Sequence, residues 1–198
     1  MEILGGILFT VSYLYFGFTL EFLVALILVS VLIIETSSDM KSSTVIDTGW
    51  IIGLVPLLII RILQNNFFDY LLSAGVMFIS LLVLSLIGKA IYKKEALGGG
   101  DIKLYIFIGF CITIWNGLLS LFLASVLALI FALVKKQKNA YIPLVPFISI
   151  AVLITYFYGI STTTAVNASI FSNSEIIFAL VIAMVIFKER LNIKECIP

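Results

Sequence analysis

The chain is divided into eight apolar stretches by short polar connectors, and this pattern limits its possible folds more than any other feature. The stretches fall at about residues 3–19, 20–38, 48–64, 69–92, 102–116, 117–134, 141–159 and 170–187. A helix needs about 20 apolar residues to cross the hydrocarbon core of a bilayer. The apolar content of 62% and the mean hydropathy of +1.23 also exceed those of soluble domains. The sequence therefore predicts an all-α, polytopic transmembrane helix bundle of seven to eight spans.

The basic residues indicate how these spans are oriented across the membrane. The fifth and sixth stretches meet at Asn116-Gly117, a turn dipeptide, so they form either two helices or one kinked helix. With eight spans and both termini inside, eleven of the twelve Lys and Arg residues lie on the cytoplasmic side, where such residues collect. Only Arg61 falls toward the outside, where it could snorkel from a helix end. Merging the two stretches would move Lys135, Lys136 and Lys138 to the wrong side, so we expect two helices.

Composition excludes several classes of site. The net charge is +1, which gives no whole-chain argument for binding nucleic acid. Cys111 and Cys196 are far apart in sequence and form no C-x-x-C pair, so neither a disulfide framework nor a zinc site is indicated. The chain has no histidine, which removes His-based triads and His-ligated zinc. Acid–base chemistry near neutral pH must then use carboxylates, Lys, Tyr or Cys.

Two carboxylates stand at the inner ends of spans. Asp39 ends the second span and Asp101 begins the fifth, so the predicted topology places both at the same depth in the membrane. Two carboxylates at close range in a low dielectric hold one proton between them. Such a dyad can activate a water while protonating a scissile carbonyl. The alternative is a pair of helix-terminal charges that face water.

Three consecutive glycines precede the second of these carboxylates. Gly98, Gly99 and Gly100 allow positive φ angles and a close backbone approach beside Asp101. An unwound stretch at membrane depth is tolerated only where protein or water surrounds it. The alternative is a flexible turn with Asp101 as the N-cap of the next helix.

These motifs resemble those of a known protease family. Gly98–Asp101 matches the G-x-G-D signature of intramembrane aspartyl proteases, and its extension Ile102–Leu104 resembles the prepilin (type IV leader) peptidase form. The family's first motif is an Asp followed, after six residues, by Pro and then Asn or Asp. Asp39 matches its catalytic Asp and Asp47 its acidic or amide position. Ile46 replaces the family's proline, which leaves the rigidity of that loop open.

Two further stretches agree with the family. Residues 2–9 resemble its first membrane span, and residues 142–147, with Pro143 and Pro146, resemble the entry to its last shared helix. The resemblance thus covers residues 2–159, which we interpret as a catalytic membrane domain, followed by an extension at 160–198 with an additional helix. Many family members carry a preceding domain with two C-x-x-C pairs, associated with N-methylation. The chain resembles the peptidase half alone, so cleavage without methylation is expected.

The resemblance implies an aspartyl endopeptidase of the bacterial inner membrane that acts at the cytoplasmic face. Asp39 and Asp101 would be catalytic, and Gly98–Gly100 would shape the site. The implied substrates are prepilins or pseudopilins of pilus, secretion or competence systems, each with a short basic leader and a hydrophobic helix. Membrane lipid is the other expected partner, and no metal or organic cofactor is required. The oligomeric state stays open.

Three further charged residues could support the site or contact substrate. Asp47 occupies the acidic position of the first motif. Lys103 follows Asp101 by two positions and is either a snorkelling lysine or a contact for a substrate carboxylate or lipid phosphate. Glu35 lies one helical turn before Asp39, where it could repel negative charge on Asp39 or be an interfacial charge near the polar loop.

Other classes of protein are also compatible with parts of the sequence. A transporter or ion-coupled carrier also explains intramembrane carboxylates and broken helices. However, the two halves show no paired repeat, and the key acids lie at one edge rather than at the midplane. A non-catalytic scaffold leaves the G-x-G-D run unexplained. Within the protease class, an archaeal preflagellin peptidase or a presenilin-like enzyme is an alternative, although the latter expects Tyr-Asp where this chain has Ser38-Asp39.

Overall fold

The computed structural model describes residues 2–42, 44–92, 98–135 and 143–159. These residues form helices joined by short connections. The helices are α1 (Glu2–Phe16), α2 (Leu20–Ser42), α3 (Asp47–Leu63), α4 (Phe67–Tyr92), α5 (Gly99–Cys111), α6 (Ile114–Lys135) and α7 (Val145–Gly159). The predicted all-α bundle is confirmed, with seven helices in the described part of the chain. The eighth predicted span, at 170–187, and the rest of the extension lie outside the described residues.

Several helices have the length and composition of membrane spans. Leu20–Ser42, Phe67–Ala90 and Ile114–Ala132 are long and apolar enough to cross a bilayer. Glu2–Phe16 and Val145–Tyr158 are apolar but shorter. Large apolar side chains remain exposed on the outside of the bundle, as expected where lipid is the solvent. The fold is that of a membrane protein.

Helices α2 and α5 form the centre of the bundle. Val24, Leu28 and Leu32 recur every fourth residue on α2 and are almost fully buried, as are Leu104 and Ile108 on α5. Helix α2 contacts α1, α3, α5 and α7, while α5 contacts α2, α3, α4 and α6. Because neighbours on several sides hold both helices, their ends are fixed relative to one another.

The fifth and sixth spans are separate helices, as predicted, but the break is not at Asn116-Gly117. Helix α5 ends at Cys111, and Ile112 is extended (φ −125°, ψ 157°) before α6 begins at Ile114. Gly117 lies inside the first turn of α6, where a Cβ atom would come within 2.8 Å of the Met77 side chain. The glycine therefore permits helix packing here, and this overrides the local turn preference of Asn-Gly.

Arg61 does not snorkel to the surface, contrary to the sequence expectation. Its side chain is fully buried and clamps three helix ends together. Nε and Nη2 donate to the carbonyls of Phe110 (2.9 Å) and Cys111 (2.8 Å), and Nη1 pairs with Glu21 at 2.7 Å. The guanidinium also lies 3.5 Å from the centre of the Tyr70 ring. A fully paired arginine thus fixes the start of α2 and the ends of α3 and α5.

Candidate active site

A pocket of about 270 Å³ opens at the opposite end of the bundle, where α2 ends and α3 and α5 begin. It is lined by Asp39, Thr44, Val45, Asp47, Gly98, Gly99, Gly100, Asp101 and Lys103. Seven of the eight residues predicted for the site line this pocket, and only Glu35 does not. The structure therefore brings together residues that are 62 positions apart in sequence.

Asp39 lies in the last turns of α2 and is only 2% exposed. Its Oδ2 atom accepts a hydrogen bond of 3.0 Å from the backbone amide of Val145. Val145 is the first residue of α7, so Asp39 sits at the positive end of that helix. Burial disfavours the charged form of Asp39, and the amide donor at the helix N-terminus partly offsets this cost.

Asp101 approaches the pocket from the other side. It is the third residue of α5, ahead of the apolar part of that helix, and is 6% exposed. Burial, and secondly the nearby charge of Asp39, raise the pKa of Asp101 to about 6, although the amide of Gly98 opposes the shift. Asp101 is consequently the member of the pair that more readily holds a proton near neutral pH.

The glycine run acts through close packing rather than through unusual φ angles. Gly98 is the N-cap of α5 with φ −68° and ψ 139°, and Gly99 and Gly100 already belong to the helix. The run does not use the positive φ angles that glycine allows, and the alternative that Asp101 is the N-cap is wrong. The predicted close approach is found at Gly100, where a Cβ atom would lie 2.7 Å from Val45 Cβ. Gly100 thus lets the two walls of the pocket touch.

Asp47 and Lys103 form an ion pair at the exposed rim. Lys103 Nζ lies 2.8 Å and 3.0 Å from the two carboxylate oxygens of Asp47, and both side chains are about half exposed. Lys103, and secondly the indole N–H of Trp50, hold the pKa of Asp47 below its usual value. The pair joins the start of α3 to the first turns of α5 across the pocket mouth.

Glu35 does not line the pocket and does not face the outside of the bundle. Its side chain is fully buried, and its Oε2 atom accepts a hydrogen bond of 2.8 Å from the backbone amide of Ile46. Ile46 directly precedes α3 and follows Val45, which lines the pocket. Glu35 therefore contacts the back of the pocket wall.

Sequence reasoning missed three residues of the site. Thr44 and Val45 line the pocket from the α2–α3 connection, and the Val145 amide binds Asp39. The connection lies between two residues of the first motif, so its position could have suggested a pocket wall. Pro143 and Pro146 correctly predicted a helix start, since α7 begins at Val145 with Pro146 in its first turn. Nothing local indicated that this start faces Asp39.

A polytopic bundle with two buried carboxyl groups in one open polar pocket defines a membrane protein equipped for acid–base chemistry. The type IV leader peptidase family model matches residues 26–133, more than half of the chain. The chain belongs to that family, as its motifs indicated. A model of the EamA-like transporter family also matches residues 111–197, a smaller part that contains none of the pocket residues.

Three curated relatives share the name prepilin leader peptidase/N-methyltransferase. The chain is 36% identical to the Haemophilus influenzae protein over 43% of its own length and 37% of the relative. It is 33% identical to the Myxococcus xanthus protein over 62% of its length and 37% of the relative. It is 26% identical to the Bacillus subtilis protein over 80% of its length and 64% of the relative. The matches thus span less than two thirds of these relatives. No solved structure matches the chain significantly.

Proposed function

We propose that this chain is an intramembrane aspartyl endopeptidase that removes the leader of type IV prepilins or pseudopilins. The observation that carries the proposal is the pairing of Asp39 and Asp101 in one pocket, from two central helices of a leader peptidase family member. Both carboxyl groups are almost fully buried, yet the pocket they line is open. Buried acids that reach a solvent-accessible pocket fit a reaction that consumes water.

The two carboxyl groups have different surroundings, which suggests separate roles. Asp39 carries the negative charge, favoured by the Val145 amide and the N-terminus of α7. Asp101 is the better proton donor, because burial and the nearby charge of Asp39 raise its pKa to about 6. Asp39 takes a proton from the attacking water while Asp101 donates its own to the scissile carbonyl oxygen. The tetrahedral intermediate then collapses: Asp39 passes its proton to the leaving amine, the C–N bond breaks, and Asp101 regains a proton from a hydroxyl of the intermediate as the new carboxyl group forms. No metal or organic cofactor takes part.

The charge of the rim suits a leader with basic residues. Among the residues that the structure describes, three carboxyl groups and a single lysine line the pocket, and Asp47 is accessible at its mouth. A leader Lys or Arg can compete with Lys103 for Asp47, which would draw the scissile bond toward the two aspartates. The distribution of basic residues supports an orientation with this end of the bundle at the cytoplasmic face. The bacterial relatives favour the inner membrane as its location. The hydrophobic helix of the substrate would remain in lipid beside the bundle.

A transporter and an archaeal preflagellin-type peptidase are the less favoured readings. The transporter family match begins after every pocket residue, so it offers no role for the two aspartates. The three curated relatives are bacterial prepilin peptidases by name, which favours a prepilin over a preflagellin substrate. The pocket also lies at one end of the bundle, whereas carriers bind their substrates near the midplane.

The test is cleavage of a prepilin in liposomes by the purified full chain and by four variants. Asp39→Asn and Asp101→Asn should each abolish cleavage, because an amide can neither accept nor donate the required proton. The double variant should be hardly worse than either single one, since the two groups act as a unit. Asp69→Asn, an exposed acid at the start of α4, is the matched control. Cleavage at the parent rate by either single variant would refute the assignment.

A further inference from the structure

Glu35 is a buried carboxyl group with an unusual partner. It lies on α2 one turn before Asp39, has no exposed surface, and does not line the pocket. Its Oε2 atom accepts the Ile46 amide at 2.8 Å, and this bond joins the last part of α2 to the start of α3. A buried carboxyl group in a membrane bundle is costly unless its contacts compensate for the lost solvation. The role of Glu35 therefore depends on the backbone groups that it binds.

The partner of Glu35 is the N-terminus of α3. Ile46 is the N-cap residue of that helix and provides no side-chain cap of its own. The second oxygen of Glu35, Oε1, faces Gly49 in the first turn of α3 and has no hydrogen-bond partner among the described residues. A Cβ atom on Gly49 would come within 2.6 Å of this oxygen. Glu35 therefore satisfies the amide of the N-cap residue from a neighbouring helix, in a space that Gly49 leaves open.

A short series of contacts connects this cap to the aspartates. Ile46 is preceded by Val45, which lines the pocket and packs directly on Gly100, the neighbour of Asp101. Ile46 is followed by Asp47, which binds Lys103 on α5. Glu35 thus holds the backbone at position 46, and the residues on either side of that position contact α5 before and after Asp101.

A second bond from α2 supports the same wall. Ser38 Oγ donates to the carbonyl of Thr44 at 2.8 Å. Ser38 and Glu35 are both on α2 and lie one turn or less from Asp39. The helix that carries the first aspartate therefore also holds the wall that packs against the second.

We propose that Glu35 is a positioning residue that sets the distance between the two aspartates by anchoring the Thr44–Asp47 wall against Gly100. This inference rests on the proposed function for its effect on catalysis, but its structural part does not. Without the anchor, Val45 is free to withdraw from Gly100, and the start of α5 loses one of its contacts. Small misplacements of reacting groups reduce rates strongly.

The backbone at Ile46 provides a specific test of this role. Its φ of −85° and ψ of 107° are compatible with proline, which fixes φ by its ring and has no amide to donate. Ile46→Pro therefore removes the hydrogen bond to Glu35 and substitutes a covalent restraint at the same position. If Glu35 acts by anchoring Ile46, it should become dispensable once the ring holds the backbone.

The experiment measures prepilin cleavage in liposomes for a double-mutant cycle of Glu35→Ala and Ile46→Pro. Glu35→Ala alone should lower the cleavage rate about tenfold, the effect of losing one well-placed bond to a charged group. In the Ile46→Pro background the same change should cost no more than about twofold. Glu35→Gln, which keeps an acceptor for the amide, should fall between the parent and Glu35→Ala. Ile34→Ala, at the exposed neighbouring position, controls for general damage to α2.

Hydrogen–deuterium exchange of residues 44–47 provides a readout that does not require activity. Glu35→Ala should speed exchange in this segment, whereas Ile34→Ala should not. An equal loss of cleavage from Glu35→Ala in both backgrounds, or unchanged exchange, would overturn the proposal. If the parent protein cleaves no prepilin, the proposed function fails, and the exchange measurement still decides whether Glu35 anchors the wall.

Discussion

The carboxylate of Asp39 and the backbone amide of Val145 are joined by a 3.0 Å hydrogen bond across 106 positions of sequence. The bond connects the last turns of α2 to the first residue of α7. It gives one of the two pocket aspartates a hydrogen-bond donor that belongs to the backbone. Substitutions at position 145 therefore leave this donor in place, with the exception of proline, which has no amide hydrogen. That exception allows the contribution of the bond to be measured.

Val145→Pro should lower the rate of prepilin cleavage by about tenfold while the protein stays folded. Proline has no amide to donate to Asp39, yet it is well tolerated at the first position of a helix. The matched control is Val145→Ala, which removes buried side-chain volume but keeps the amide. Cleavage rates and melting temperatures of both variants separate the two effects. A larger loss of activity in Val145→Ala would show that packing, not the amide, matters here.

The pH profile of cleavage should have a basic limb at or above about pH 6. Burial and Asp39 raise the pKa of Asp101 to about 6, so its protonated form is lost as the pH rises through that value. The proposed mechanism needs this proton, and activity should therefore decline on the alkaline side. The measurement is kcat/KM against pH, with Asp47→Asn as a comparison whose basic limb should not move. A rate that increases steadily to pH 9 would contradict the assigned acid.

Substitution at Asp47 should affect binding of the leader rather than stability. The Asp47–Lys103 pair is about half exposed, and exposed pairs add little to the stability of a fold. Asp47→Asn should therefore leave the melting temperature nearly unchanged. It should raise KM several-fold, about three- to tenfold, for a prepilin with a basic leader. For a prepilin whose leader has been neutralised, KM should be the same for the parent and the variant. An equal change in KM for both substrates would exclude a role of Asp47 in recognising the charge of the leader.

Arg61→Lys should destabilise the bundle although it keeps the charge. The guanidinium binds two backbone carbonyls and Glu21 together while it lies against Tyr70, and an ammonium group cannot satisfy this geometry. The expected cost is about 2–4 kcal/mol, in the range for breaking a buried ion-pair network. Thermal unfolding in detergent measures it, with Lys103→Arg at the exposed rim as the control. Equal melting temperatures for Arg61→Lys and the parent would argue against a structural clamp.

Much of the fold and the composition of the pocket could be predicted from local sequence. The lengths of the apolar stretches gave the helices, because a lipid solvent allows few other structures. Asp39, Asp101 and the glycine run could be predicted as one site because carboxylates at span ends are rare and costly. The positions of Asp47 and Lys103 followed from the same motifs. The catalytic roles of Asp39 and Asp101 stay predictions.

The tertiary structure alone decided which groups these side chains meet. The contacts of Asp39 with Val145, Glu35 with Ile46 and Arg61 with the end of α5 join residues that are 11 to 106 positions apart. Each uses a backbone N–H or carbonyl, and because all residues except proline possess both groups, no residue type or spacing marks the partner in advance. The break at Ile112 and the packing of Gly117 on Met77 likewise depend on a neighbouring helix. The sequence determined which segments are apolar enough to form membrane helices and where the acids lie along them, because apolar length and charge are local properties. The contacts that fix those acids depend on how the helices pack, which is a property of the whole bundle.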